Sequence, residues 1–501
     1  MNPSTEPQHP GTADVEVVII GTGFGGLAMG AQLKRHGRES FVLLERADDV
    51  AGTWRDNTYP GAACDVPSHL YSFSFRPNPE WSRFFSPGPE ILQYLRDTAH
   101  AEGLLPHIRF GTNVEDARWD AAAQRWTVTT SQGVFTGRFL VTATGHLSDE
   151  ALPPIKGLDG FTGDVFHSAR WNHEVPLEGK RIGVIGSGAT AVQLVPELAK
   201  TASELVVFQR SAQYVTPRPD RAYTESEKQL FRRDPDAMAD HRSEIFWFLE
   251  SRYAERRAVP DILDKARSQA LNHLERQVKD PELRARLTPD YELGCKRVLI
   301  SDTYYPALTR DNVTLEASAL DHVEGSKAIS RDGNTYELDV LVFCTGFETA
   351  EPPYARLVHD ANGISLSDHW AQGMEAFAST TVAGFPNLFI INGPNTGLGH
   401  NSIVYIIEAQ VDYILGALDW SRANGNHVLD VSARAQERYV DELQQRSDGT
   451  VWLSNGCKSW YIDPRSGRLT LIWPNFAHEF RYRNGTFDSA PYTAAETSAA
   501  R

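Results

Sequence analysis

The chain has few cysteines and no long apolar run, and its acidic residues outnumber its basic ones. The four cysteines, Cys64, Cys295, Cys344 and Cys457, stand far apart, with no CxxC pair and no metal-ligand spacing. This pattern argues against a redox dithiol, a zinc site and a disulfide framework, and it suits a reducing cytoplasm. No stretch approaches the roughly 18 apolar residues that a bilayer span requires, so no membrane is expected as partner. With 49 Lys and Arg against 65 Asp and Glu, the net charge is −16. Such a surface repels phosphate backbones and anionic lipid, so nucleic acid is not an expected partner either. Any anion the chain binds must be held by local donors. The N-terminus lacks a basic segment, and residues 1–14 read as a short disordered tail instead of a signal peptide. Residues 491–501, rich in Ala, Ser and Thr, read as a second such tail.

What is present is enough apolar sequence, 41% of 501 residues, for two or three domains. Residues 15–20 form a mostly β-branched run suited to a strand buried on both faces. A glycine loop follows, then helical spacing over 27–36 that stops at Gly37, then a strand over 40–44. The plan recurs as a strand over 181–185, a loop at 186–188, a helix over 189–200 and a strand over 204–208. Two such βαβ units predict an α/β fold with two parallel sheets, that is, two dinucleotide-binding, Rossmann-like domains. Between Gly188 and Gly294 there is no glycine, and Glu, Arg, Lys, Leu and Ala dominate, which predicts a helical insertion at about 224–288. The chain turns strand-like again at 336–343 and runs through a Gly/Pro/Asn-rich stretch, 384–401, into a helix over 402–418. The expected division is a discontinuous first domain (15–150 and 335–490), a linker (151–180) and a second domain (181–334) carrying the insertion.

The two glycine loops carry opposite charge at matching positions. The first, Gly21-Thr22-Gly23-Phe24-Gly25-Gly26, is a GxGxxG that follows a strand and opens a helix. Gly21 permits the turn, Gly23 admits a pyrophosphate to the backbone, and Gly26 lets helix and strand close up. Glu45 ends the next strand, 24 residues after Gly21, where a carboxylate accepts from ribose hydroxyls. The second loop is Gly186-Ser187-Gly188-Ala189-Thr190-Ala191, and the residue 24 positions after Gly186 is Arg210, followed by Ser211. An arginine there suits a 2′-phosphate; the plainer alternative is a solvated surface cation. An acid at one site and a base at the other suggest a flavin in the first and NADPH in the second. The strand ends Ala143-Thr144-Gly145 and Cys344-Thr345-Gly346 mark where the chain would cross between domains.

At this point the residues carry a family pattern. Phe161, Gly163, His167, Trp171 and Asn172, just before the second loop, resemble the FxGxxxHxxxW(P/D) fingerprint of type I Baeyer–Villiger monooxygenases, with Asn172 where Pro or Asp is usual. Gly52-Thr53-Trp54, Tyr59-Pro60-Gly61-Ala62-Ala63-Cys64-Asp65, Gly294-Cys295-Lys296-Arg297 and Gly393-Pro394-Asn395-Thr396-Gly397 also look like that family, so the resemblance spans nearly the whole chain. It implies FAD and NADPH as cofactors, with O2 and a ketone or sulfide as small-molecule substrates. The reaction it implies inserts one oxygen beside a ketone carbonyl, through a C4a-peroxyflavin, to give an ester or lactone. Thr53, Trp54, Asp65 and Tyr71 would line the flavin, and Ala63, Cys64 and Asp65 would border the nicotinamide. Lys296 would join Arg210 and Ser211 at the 2′-phosphate. Arg297 would be the main catalytic side chain, and His167 and Trp171 would belong to a linker that couples domain motion to catalysis.

The implied chemistry explains a buried arginine. Guanidinium stays protonated under any working condition, so it can face a developing oxyanion, and it needs a counter-charge when none is present. Asp65 is the candidate counter-charge; it could instead merely cap a turn after Pro60-Gly61. Alternative functions are a flavin-dependent S- or N-oxygenase and an uncoupled NADPH oxidase. A lone His167 suggests packing, and the role of His400 stays open. Trp452, Trp460, Tyr461 and Trp473 suggest core or pocket wall.

Overall fold

The computed structural model describes residues 13–454 and 456–493. The first unit is built on an eight-stranded sheet. Its centre is parallel: Ala13–Ile20 lies between Phe41–Leu44 and Gly133–Thr142, with Val18 opposite Val42 and Leu140. Its other half is antiparallel, through Val114–Asp120, Arg125–Thr130 and Gly133–Thr142. The sheet is therefore mixed, where a purely parallel one was expected. The antiparallel strands alternate buried and open residues, the signature of one covered face, and turns at Gln124 and Gly133 join them locally. The helices Phe24–Arg35 and Ile403–Ala423 pack together over the parallel part, with Ala477–Asn484 against the second of them.

The second sheet runs Val313–Glu316, Glu204–Phe208, Arg181–Ile185, Val340–Phe343 and Asp164–His167, all parallel. Two expectations change here. Residues 336–343 are not one strand: Thr335–Glu337 pairs in a small antiparallel sheet, and Val340–Phe343 enters the second parallel sheet. The second unit thus extends past residue 334, and Asp164–His167, from the expected linker, is its edge strand. At the join the Asp339 N–H donates to the Arg181 carbonyl and its carboxylate accepts from Arg181 Nη2 at 2.7 Å, so the second ladder begins there.

The helical insertion folds as Glu225–Arg233, Pro235–Ser251, Tyr253–Arg256, Pro260–Gln277 and Pro281–Arg286. Its starts are locally encoded: a capping box joins Thr224 and Glu227, Asp234 and Asp280 accept from backbone N–H groups, and prolines occupy first turns. Phe231, Met238 and Phe246 bury against the first unit, while Leu274 and Leu283 bury against the second. The insertion therefore spans both.

The expected tails fall mostly outside the described residues, but their inner ends are ordered. Ala13 and Asp14 open the first strand, and Tyr492 is buried, its hydroxyl bonded to those of Thr381 and Tyr413. The cysteine reading is also corrected. Cys295 and Cys457 form a disulfide across 162 residues, leaving Cys64 and Cys344 as buried free thiols. Sequence spacing could not reveal a pair that only the docking of two distant loops creates. Among the described residues no helix is long and apolar enough to cross a membrane, and no cluster of side chains could hold a metal ion.

Candidate active site

Both glycine loops take the shape that their sequence requires. Gly21 and Gly186 have φ of +99° and +116°, and a Cβ on either would lie 2.8 and 2.5 Å from the carbonyl oxygens of Ala143 and Cys344. A Cβ on Gly26 would meet the Gly21 carbonyl oxygen at 1.9 Å, so this crossing of helix and strand admits only glycine. Gly23 and Gly188 differ, since a Cβ there would touch nothing within 4 Å. The helices they open have no side-chain cap and no acidic residue in the first turn, whereas every helix of the insertion carries an acid there. Two positive helix ends thus face open ground, which is what a phosphate needs.

The first loop opens on a cleft lined by Gly21, Gly23, Glu45, Thr53, Trp54, Tyr71, Thr144 and Asn392 among others. Glu45 sits at its wall and is buried. It accepts from the Thr22 hydroxyl at 2.6 Å and from the Ala47 N–H at 3.0 Å, and pairs with Arg55 at 3.0 Å. The Trp54 indole donates to the Tyr71 hydroxyl at 3.3 Å. Burial pushes that hydroxyl's pKa up, and Cys64, Asp65 and Arg297 are close enough to act on it, so the Tyr71 end of the cleft adjoins them.

At the second loop, Ser187 donates to the Ser211 carbonyl at 2.9 Å, and Lys296 donates to the Ser211 hydroxyl at 2.8 Å. Ala189, Thr190 and Ala191 form the first turn of the helix, with Ala191 fully buried. Arg210 is exposed beside Lys296. Burial, and then repulsion from Arg210, lowers the Lys296 pKa. Two cations held together with Asp290 as their weak acidic neighbour make a site that gains from a dianion.

Between the loops, Arg297 grips Asp65 with both ends of its fork, Nε at 2.8 Å and Nη2 at 2.7 Å. The pair is not sealed, since 37% and 27% of the two side chains remain exposed, so a small molecule can reach it. Attraction to Asp65 chiefly raises the Arg297 pKa further. Burial opposes the Asp65 carboxylate, but Arg297, with Arg218 behind it, holds its pKa below the usual range. Cys64 is buried, and burial pushes its thiol up, so it is an inert wall and not a nucleophile.

Gln193 and Arg218 escaped sequence reading here, whereas Tyr461 was expected as core or pocket wall. Gln193 holds the Ala63 backbone, Arg218 donates to the Cys64 carbonyl at 3.0 Å, and Tyr461 is buried near Arg297. His400 is tied by Nε2 to Glu250 at 3.1 Å, and Glu250 also accepts from Asn401 and His478. That network docks the insertion, and Arg256 beside it donates to the Gly399 carbonyl at 2.8 Å. Trp452, Tyr461 and Trp473 are buried, whereas Trp460 is 45% exposed. His167 accepts from the Ala169 N–H at 3.1 Å, and Trp171 packs edge-on to Phe166. Asn172 caps a turn by accepting from Glu174 N–H, a task that Asp performs equally well.

The comparisons with known proteins agree with this geometry. The flavin-binding monooxygenase-like family profile matches residues 14–363. A Baeyer–Villiger monooxygenase of Streptomyces coelicolor is 45% identical over 479 residues, covering 95% of this chain and 92% of its own. One of Pseudomonas aeruginosa is 42% identical over 495 residues, with 99% and 94% coverage. Among solved structures, cyclohexanone monooxygenase from Rhodococcus sp. Phi1 bound to NADP+ superposes with a TM-score of 0.85 at 28% identity, covering 94% of this chain and 97% of that one. OTEMO in complex with FAD and NADP gives a TM-score of 0.83 at 28% identity, with 94% and 96% coverage. The chain belongs to the flavin-binding monooxygenase-like family. Within it, the chain is a FAD- and NADPH-dependent monooxygenase of the Baeyer–Villiger type. The two open helix ends, the acid at one loop and the cation pair at the other fit those two cofactors.

Proposed function

We propose that the chain converts a small ketone to an ester or lactone, with FAD in the Glu45 cleft, NADPH on the Gly188 loop and Arg297 as the main catalytic residue. The observation that carries this reading is the accessible, two-point Arg297–Asp65 pair lying between the two loops. Reduced FAD supplies the activation of O2 when it is bound. Arg210, Ser211 and Lys296 would hold the 2′-phosphate, and Gly186, Ser187, Gly188 and the Ala189–Ala191 turn the pyrophosphate of the same nucleotide. Gly21, Gly23 and Gly26 would hold the FAD phosphates, and Thr53, Trp54 and Tyr71 would wall its ring. Asp65 takes two of the five N–H groups of Arg297, and the other three lie beyond the carboxylate, one of them within reach of the Tyr461 hydroxyl. Those three would face the negative charge that develops on the ketone oxygen as a new bond forms at its carbon. Asp65 acts as orienter and counter-charge, since a carboxylate with a lowered pKa is a poor base. The pair keeps both charges across the working pH range, so it imposes no pH limit of its own.

Sulfide oxidation is the second substrate class, because oxygen transfer to an electron-rich sulfur needs no cation facing a carbonyl oxyanion. The test is a panel of cyclic, linear and aryl ketones and of sulfides, run with NADPH, quantifying products and H2O2. Ester or lactone formed nearly one for one with NADPH supports the reading. Sulfoxide as the only oxygenated product, or H2O2 alone, overturns it.

A further inference from the structure

We propose that Gln193 is a positioning residue that fixes the segment carrying Asp65 to the helix of the second nucleotide loop. It is therefore needed for efficient reduction of the flavin by NADPH. The inference rests on the reading of residues 63–65 as the border of the nicotinamide.

Residues 59–65 belong by sequence to the first unit but lie on the second. Tyr59 is buried in the apolar cluster of the second sheet, among Val192, Val195 and Val342. Gly61, at φ +86°, brings the backbone so close that a Cβ there would lie 2.5 Å from the Gln193 carbonyl oxygen. The Gln193 side chain then locks the segment from Ala189–Leu198. Its Oε1 accepts from the Tyr59 hydroxyl at 2.8 Å and from the Ala63 N–H at 3.4 Å, while its Nε2 donates to the Ala63 carbonyl at 2.9 Å. The primary amide thus pairs with one residue's N–H and C=O as a neighbouring strand would. A carboxylate of the same length would set an acceptor against the Ala63 carbonyl, and Asn is one methylene too short.

Directly beyond Ala63, the Cys64 N–H donates to the Ser86 carbonyl at 2.9 Å and the Cys64 carbonyl accepts from Arg218. Asp65 comes next, on Arg297. One end of this short segment is therefore pinned one turn behind the loop at Gly188, and the other end holds the catalytic arginine. Ordinary packing does not require a two-way amide clamp; a fixed spacing between two cofactor sites does.

The test uses the FAD-loaded enzyme and anaerobic stopped-flow reduction by NADPH and by NADH, with thermal unfolding of each variant. Gln193→Ala should weaken NADPH and NADH alike by about tenfold and slow the limiting reduction rate by about tenfold, the effect of one or two lost hydrogen bonds. Gln193→Glu should do no better. Tyr59→Phe keeps both bonds to Ala63 and should cost about threefold or less, so it remains informative should Gln193→Ala lose FAD. A Tm change in Gln193→Ala with normal reduction kinetics overturns the proposal by showing a merely structural role. A defect confined to NADPH overturns it too, by assigning the effect to the 2′-phosphate. Reduction needs no ketone, so failure to make ester would count against the proposed substrate class and leave this test readable.

Discussion

Replacing Arg297 by Ala separates oxygen insertion from NADPH consumption. In the structure two of the five guanidinium N–H groups are committed to Asp65, and the rest of the fork, beside the Tyr461 hydroxyl, is left to meet substrate. Removing a preorganised donor to an oxyanion typically costs about 2.7–4 kcal/mol of barrier, or about 10²–10³ in rate. The substitution also strands Asp65, whose pKa is held down mainly by Arg297 against burial, so Arg297→Ala with Asp65→Ala is needed beside the single variant. Arg297→Lys keeps the charge but loses the fork, and should recover only part of the rate. The assay measures ester by gas chromatography, NADPH loss by absorbance and H2O2 in the same reaction. Expected is NADPH oxidation within about tenfold of wild type, ester formation down by about 10²–10³ in both Ala variants, and H2O2 making up the difference. Ester formation within about threefold of wild type would refute the role given to Arg297.

Three further outcomes follow from individual contacts. Arg210→Ala should raise the KM for NADPH by about tenfold or more while leaving that for NADH nearly unchanged, because only the former carries the dianion; equal effects would remove Arg210 and Lys296 from the 2′-phosphate. Cys457→Ser should lower stability by about 2–4 kcal/mol, since the Cys295–Cys457 bond closes a loop of 162 residues, and a dithiol reductant should bring wild type to the variant's Tm. Insensitivity of the wild-type Tm to the reductant would refute the pairing. Burial alone would raise the Glu250 carboxyl, but His400, Asn401 and His478 hold it at about 2. Its folded pKa thus lies below the unfolded value, so its stabilisation is complete above pH of about 4.3 and is lost as pH falls toward about 2. Glu250→Gln should therefore cost on the order of 2–3 kcal/mol at pH 7 and unfold with a shallower acid limb, as read by thermal melts across pH 3–7. Parallel curves for the two proteins would show that Glu250 carries no such linkage.

Much of this molecule was legible in the residues. Glycines 21, 26 and 186 are dictated by contacts with backbone a strand away, and a βαβ unit repeats such contacts at constant spacing. The same regularity put Glu45 and Arg210 at matching strand ends. The helical insertion was readable from its missing glycines and its Glu, Arg, Lys, Leu and Ala content, because helix propensity is a local property. Arg297, Lys296 and the roles around them came from resemblance, not from pattern, since nothing local distinguishes a catalytic arginine from a surface one.

What the tertiary structure alone decided lies in pairings that no local rule reaches. Asp65 meets Arg297 across 232 residues, Gln193 meets Ala63 across 130, and Cys295 meets Cys457 across 162. Residues 336–343 look like one strand in sequence, yet the run divides between two sheets, with Asp339 bonded to Arg181 where the second ladder begins. Helix starts depend on hydrogen bonds between near neighbours, and the glycine turns on close approaches that recur with the βαβ plan, which the order of residues already contains. Partners hundreds of positions apart depend on how two sheets and a helical insertion settle against one another, and that is a property of the packed chain.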